Sequence, residues 1–125
     1  TTPLRDETER ALLAWADETR LPVLGVCRGM QLMALHAGCP LMTIQGHVAL
    51  RHPVTGLIIK NVNSFHTYAP QDCPEGFEIL ARAPDGTIEA MHSTLQPWEA
   101  WMWHPEREPA PFDPIDIQRI RDLFL

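Results

Sequence analysis

The 125-residue chain lacks the features that mark several large functional classes. Its three cysteines, Cys27, Cys39 and Cys73, form no CxxC pair, and an odd count gives no disulfide framework. Neither HExxH nor a paired CxxC occurs, so no zinc signature is present and no metal is expected from spacing. Ten basic residues stand against 16 acidic ones, a formal net charge of −6. A sequence-independent nucleic-acid binder needs a basic footprint, which is missing here. No run approaches the ~18 apolar residues of a membrane-spanning helix, and no basic-then-apolar signal opens the chain. Repeats, low-complexity tracts and linkers are absent too. What is present is 45% hydrophobic residues, enough for one real core. These features point to a single domain in a reducing cytoplasm, with neither nucleic acid nor membrane as partner.

Against that background one short segment carries chemistry. Gly25-Val26-Cys27-Arg28-Gly29 follows the apolar run Leu21-Pro22-Val23-Leu24 and opens the apolar stretch Met30 to Leu35. The order reads as strand, sharp turn and helix, with a cysteine at the apex and glycines where backbones must approach. A thiol at the positive end of a helix is expected to fall below the ordinary value of about 8.5. A buried cysteine acting as a small hydrophobe fits the same five residues. The balance shifts with His104-Pro105-Glu106, which follows a second apolar run, Ala100 to Trp103. A cysteine nucleophile needs a base, and the base needs an orienting acceptor; this tripeptide offers both. Both motifs end predicted strands, where open α/β sheets build their sites.

The rest of the chain places these motifs. Thr2 to Thr19 reads as a helix whose stripe Ala11, Leu12, Trp15 and Ala16 should pack on the sheet. Pro22 to Val26 is a strand, and the helix after the turn stops at Gly38-Cys39-Pro40. Residues 41–56 read as a short strand and an irregular surface loop, with His47, Arg51 and His52 at the site mouth, able to meet an anionic part of a substrate. A plain surface role fits them equally well. Leu57-Ile58-Ile59 reads as a strand delivering Asn63 to His66 to its end. Pro84-Asp85-Gly86 turns a hairpin between Phe77 to Ala83 and Thr87 to Met91. Trp98 to Trp103 is a last strand whose tryptophans suit core packing. Arg107 and Glu108 read as a solvated pair. Asp113-Pro114 caps a final helix with Ile117, Ile120, Leu123 and Phe124 at helical spacing.

Three of these segments, taken in order, resemble the class I (triad-type) glutamine amidotransferases and their γ-glutamyl hydrolase relatives. PVLGVCRGMQ (Pro22 to Gln31) resembles that family's nucleophile elbow, WHPE (Trp103 to Glu106) its His-Pro-Glu motif, and Val62-Asn63-Ser64-Phe65-His66 its substrate-holding segment. Gly46-His47-Val48, His52, NSFHTY and MWHPERE bring it nearest the branch of γ-glutamyl-γ-aminobutyrate hydrolase and γ-glutamyl-CDP-amidate hydrolase. The resemblance implies an α/β, three-layer domain with a mostly parallel flavodoxin-like sheet and a C-terminal antiparallel hairpin. Residues 1–125 would be its C-terminal two-thirds, with the N-terminal part of the domain absent.

Carried over residue by residue, the resemblance makes Cys27 the nucleophile, His104 the general acid/base and Glu106 its orienting group. Arg28 would contribute an oxyanion amide, and Gln31, Ser64, Phe65 and His66 would bind the glutamyl moiety. The implied activity is hydrolysis of a small-molecule γ-glutamyl amide through a thioester on Cys27, with no cofactor. A preceding segment or a second chain is expected to supply the second oxyanion amide. Two rival readings stand beside it: a glutaminase subunit passing ammonia to a synthetase, and a non-catalytic remnant serving as a binding module.

Overall fold

The computed structural model describes residues 3–109 and 111–125. The elements in chain order are α1 (Pro3–Thr19), β1 (Val23–Val26), α2 (Arg28–His36), β2 (Leu41–Thr43), β3 (Val48–Gly56), β4 (Lys60–Phe65), β5 (Tyr68–Pro70), β6 (Phe77–Arg82), β7 (Ile88–Ser93), β8 (Trp98–Trp101), a 3-10 turn (Pro105–Arg107) and α3 (Pro114–Phe124). Six strands form one sheet in the order β1-β8-β7-β6-β3-β4, and β2 pairs with β5 in a small second sheet. Among the described residues no helix is long and apolar enough to cross a membrane.

Helices cover both faces of the sheet, giving the expected α/β layering. Because side chains alternate along a strand, β8 and the residues after it feed two cores. Trp98, Ala100 and Met102 pack with Met30, Met33 and Ala34 of α2 and Ala16 of α1. Trp101 and Trp103 face the other way, with Val54, Val62 and Leu80, and Ile120 of α3 lies against them. The tryptophans are core, as their spacing suggests. On α1, Leu13 and Ala16 carry the packing, whereas Leu12 and Trp15 are exposed. The buried stripe is therefore rotated from the expected one, because Arg28 pairs with Asp6 and Glu9 and sets which side of α1 meets α2.

Three further expectations are corrected. The sheet is mixed rather than mostly parallel: β1–β8 is its one parallel pair among the described residues, and the other pairings are antiparallel. Short connections such as Pro84–Gly86 can only return a strand antiparallel. Residues 48–56 are a nine-residue strand rather than a surface loop. Leu57-Ile58-Ile59 is a turn, not a strand. Its Leu57 and Ile58 amides both donate to Leu80 O at 2.9 and 3.0 Å, Ile58 alone enters the core, and Leu57 and Ile59 face outward. Gly56 makes this turn possible, since a Cβ there would lie 2.7 Å from Leu80 O. The hairpin at Pro84–Gly86 and the Asp113 cap form where expected; the Asp113 carboxylate accepts from the Ile115 amide at 2.8 Å.

Candidate active site

The pairing of β1 with β8 builds the site. Val26 lies opposite Trp101 in parallel register, so both strands end side by side with Cys27 following one and His104 the other. The Cys27 amide donates to Trp101 O at 2.7 Å, extending the ladder by one bond. At the apex Cys27 adopts φ 53° and ψ −102°, a strained conformation for a non-glycine residue. Gly25 lets strand and helix touch, because a Cβ there would meet Gly29 C and O at 2.9 Å; Gly29 has open space around its own Cβ position. Sterics thus require only the first of the two flanking glycines.

The electrostatics of Cys27 differ from the helix-end expectation. Burial, the largest influence, pushes the thiol above its ordinary value; the Arg28 backbone amide and Arg107 pull it down, while Glu89 and Glu106 push it further up. Desolvation outweighs the helix end because the sulfur is half-buried. The resting group is a thiol, so a base must take its proton.

His104 follows the neighbouring strand β8. Its Nδ1 donates to Glu106 Oε2 at 2.8 Å, which fixes the tautomer and leaves Nε2 with the lone pair. Burial tends to raise the Glu106 carboxyl, but the hydrogen bond and charge of His104, with Arg107, hold it below the ordinary value. Asn63 clamps the His104 backbone from both sides: Oδ1 accepts from the His104 amide at 2.9 Å, and Nδ2 donates to the His104 carbonyl at 2.8 Å. The Phe65 ring stands edge-on to the imidazole at 6.1 Å and lies under the Arg107 guanidinium at 4.6 Å.

Several expected site residues are committed elsewhere. The Arg28 side chain is tied to Asp6 and Glu9, leaving only its backbone amide at the turn. Gln31 Nε2 donates to Tyr68 O at 3.1 Å. Ser64 is fully buried and its hydroxyl donates to His47 O at 2.7 Å. His66 is buried, with Nε2 3.1 Å from Glu89 Oε2. Ser64 and His66 are therefore engaged inside the fold. Along β4, Asn63 and Phe65 point to His104 while Ser64 and His66 point to the opposite face.

His47 and His52 also turn inward instead of lining a site mouth. His47 Nε2 donates to Asp85 Oδ2 at 2.7 Å, and His52 Nε2 lies 2.8 Å from Glu89 Oε1. Burial tends to raise the Asp85 carboxyl, but hydrogen bonds from Thr87 and His47 hold it well below the usual carboxylate range. Arg51 is not free for a substrate anion: its NH1 and NH2 donate to Glu108 Oε2 and Oε1 at 2.8 and 2.9 Å. Glu108 is thus an anchored partner rather than a solvated charge.

Sequence reasoning read Asn63 only as part of the substrate-holding segment and Asp85 only as part of a turn, and left Glu89 without a role. The signal for Glu89 is a lone carboxylate in the apolar run Ile88-Glu89-Ala90-Met91; the signal for Asn63 is strand alternation.

Comparison with known proteins identifies the family. The model of the family "Glutamine amidotransferase class-I" matches residues 3–120. The γ-glutamyl-CDP-amidate hydrolase of Campylobacter jejuni is 33% identical over 105 residues, covering 83% of this chain and 52% of that protein. The glutamine amidotransferase-like protein YvdE of Lactococcus lactis is 30% identical over 129 residues, covering 85% of this chain and 55% of that protein. The carbamoyl phosphate synthase small chain of Escherichia coli K12 is 34% identical over 104 residues, 77% of this chain and 27% of that one. The chain spans about half the length of the first two relatives. Among solved structures, a GMP synthase-type protein of Thermoplasma acidophilum superposes with a TM-score of 0.78 at 18% identity, over 94% of this chain and 62% of that one. At that identity the likeness speaks for the fold alone.

Proposed function

Because the chain belongs to the class-I glutamine amidotransferase family, we propose that it carries the Cys-His-Glu machinery of an enzyme that cleaves γ-glutamyl amides. The observation that carries the reading is the placement of a strained Cys27 and of a His104–Glu106 pair, 2.8 Å apart, at the ends of two adjacent parallel strands. His104 Nε2 takes the thiol proton, and the sulfur attacks the γ-carbonyl carbon to give a tetrahedral oxyanion facing the Arg28 amide. The C–N bond breaks as His104 returns the proton to the leaving amine, leaving a γ-glutamyl thioester on Cys27. His104 then takes a proton from water, whose hydroxide attacks the thioester carbon, and glutamate leaves as the thiol regains a proton.

Glu106 keeps Nδ1 protonated through both half-reactions, and Asn63 holds the backbone that aims the ring. The elevated Cys27 thiol is consistent with this division of labour, since an unionised nucleophile depends on its base. The setting proposed is the cytoplasm. The test uses the whole protein carrying these residues with a chromogenic γ-glutamyl anilide. Cys27→Ala should abolish glutamate release and the acyl-enzyme detected by mass; undiminished turnover would end the mechanism.

The carbamoyl phosphate synthase small chains among the relatives favour one second reading, a glutaminase subunit whose ammonia passes to a synthetase. A co-purifying synthetase that accelerates glutamine turnover would select it; hydrolysis undisturbed by any partner selects the first.

A further inference from the structure

A second cluster, to which the proposed reaction gives no role, gathers around Glu89, the carboxylate that also helps to raise the Cys27 thiol. His47 precedes β3, His52 lies in it, His66 follows β4, and Glu89 comes from β7. All four are buried or nearly so. Each imidazole is held by its outer nitrogen. His47 Nε2 donates to Asp85 Oδ2 at 2.7 Å, His52 Nδ1 meets Pro53 O at 3.0 Å, and His66 Nδ1 meets Tyr68 O at 3.2 Å. Acceptors on the outer nitrogens place the protons there, so the inner nitrogens carry lone pairs.

Those inner nitrogens converge on one carboxylate. His52 Nε2 lies 2.8 Å and His47 Nδ1 3.8 Å from Glu89 Oε1, and His66 Nε2 lies 3.1 Å from Glu89 Oε2. Yet His47 Nδ1, His52 Nε2, His66 Nε2 and Glu89 Oε2 are buried without a hydrogen bond. At 2.8 Å, His52 approaches Oε1 too obliquely for an N–H to point at the oxygen. A buried carboxylate ringed by ring nitrogens without hydrogen bonds costs free energy unless a proton or a metal cation lies between them. The ligand atoms of His47, His52 and Glu89 all fall within 4.8 Å of one another. Ligands on one tetrahedral zinc, with bonds of about 2.0–2.1 Å, lie about 3.3 Å apart, a separation the observed ones straddle.

We propose that His47 Nδ1, His52 Nε2 and Glu89 Oε1, with His66 Nε2 beside the second carboxylate oxygen, bind one divalent transition-metal ion of the zinc class. Imidazole-rich, carboxylate-containing donor sets suit this class rather than calcium or magnesium. Asp85–His47 has the carboxylate–histidine–metal form in which an outer acceptor fixes the ligating tautomer, and backbone carbonyls serve His52 and His66 in the same way. The Thr87 amide in turn donates to Asp85 Oδ1 at 3.0 Å. The ion fastens β3 and the end of β4 to β7, and so steadies the strand that carries Asn63. Sequence spacing does not show such a site, because its ligands come from the residue before β3, β3 itself, the residue after β4 and β7 rather than from one loop or helix.

The test uses the whole protein stripped with chelator, with Zn²⁺ and Co²⁺ as probes and no activity readout. One equivalent of Zn²⁺ per chain should bind, the melting temperature should rise with free Zn²⁺, and Co²⁺ should give tetrahedral visible absorption that Zn²⁺ displaces. Glu89→Gln should remove binding. Since that variant alters the core, Asp85→Asn provides the second arm: the metal-free fold should persist, with Zn²⁺ affinity about 10–100-fold weaker. Alkylating Cys27, Cys39 and Cys73 should leave binding intact. A melt indifferent to excess Zn²⁺, Asp85→Asn binding as tightly as the parent, or binding abolished by alkylation would each overturn the proposal.

Discussion

His104 meets Glu106 at 2.8 Å with that carboxylate 61% exposed, whereas His52 meets Glu89 at the same separation with its carboxylate 1% exposed. The residue types are the same and their surroundings are opposite. In the exposed pair one hydrogen bond sets the tautomer, leaving the second ring nitrogen for a proton in transit. In the buried set all three outer nitrogens are occupied and the inner ones surround a single carboxylate. Asn63 and Phe65 of β4 meet His104, whereas Ser64 bonds to His47 O and His66, just after the strand, approaches Glu89. The contrast shows that an imidazole–carboxylate distance says little about role until solvent access and the partners of the second nitrogen are known.

The comparison is broken most decisively at the proposed catalytic pair, His104 and Glu106. His104→Ala should lower glutamate release on the order of 10⁴–10⁶-fold while the fold survives, since truncations away from core features usually stay within about 0.5 kcal/mol. Glutamate assay and thermal melting in parallel check this, and a variant that unfolds would mean that His104 is structural. Glu89→Ala should do the reverse. Removing one partner of a buried charged set costs about 3–5 kcal/mol of stability, read as a lowered urea midpoint. A midpoint that does not move would erase the distinction between the two regions.

A smaller effect is expected at Asn63, which belongs to the catalytic side through the His104 backbone. Asn63→Ala leaves two buried backbone groups without partners, at about 1–3 kcal/mol each. Turnover should fall in kcat with KM nearly unchanged, because substrate contacts stay while the ring loses its aim. Asn63→Asp keeps the acceptor for the His104 amide and should recover part of kcat. A pure KM effect would remove Asn63 from the positioning role.

The smallest effect concerns the anchor of the catalytic loop. The Arg51 hydrogen bond, opposed by burial and aided by the Arg51 charge, holds the Glu108 carboxyl below its ordinary 4.5. A depressed folded value contributes stability above the unfolded value and loses it as pH falls through the folded one. Stability should therefore decline in the acid range below 4.5, and Arg51→Ala should flatten that decline. Arg51 is half-exposed, so the difference should stay within about 1 kcal/mol. Unfolding midpoints at a series of pH values measure it, and parallel profiles for parent and variant would show the pair to be inert.

Local chemistry was legible in the sequence wherever neighbours along the chain decide the structure. The strand, turn and helix around Cys27, the Pro84–Gly86 hairpin and the Asp113 cap follow from glycine, proline and apolar periodicity within a few residues. The His104–Glu106 bond could be read because both partners sit in one tripeptide. The tertiary structure decided what depends on distant partners. It turned His47, His52 and His66 inward around Glu89, because the segments that carry them meet only in the folded sheet. It closed Arg51 onto Glu108, and it raised the Cys27 thiol, because the burial of one sulfur depends on every element packed over it. Strand alternation connects the two levels: it was present in NSFH from the start, but which face met His104 was settled only when β4 took its place beside β3.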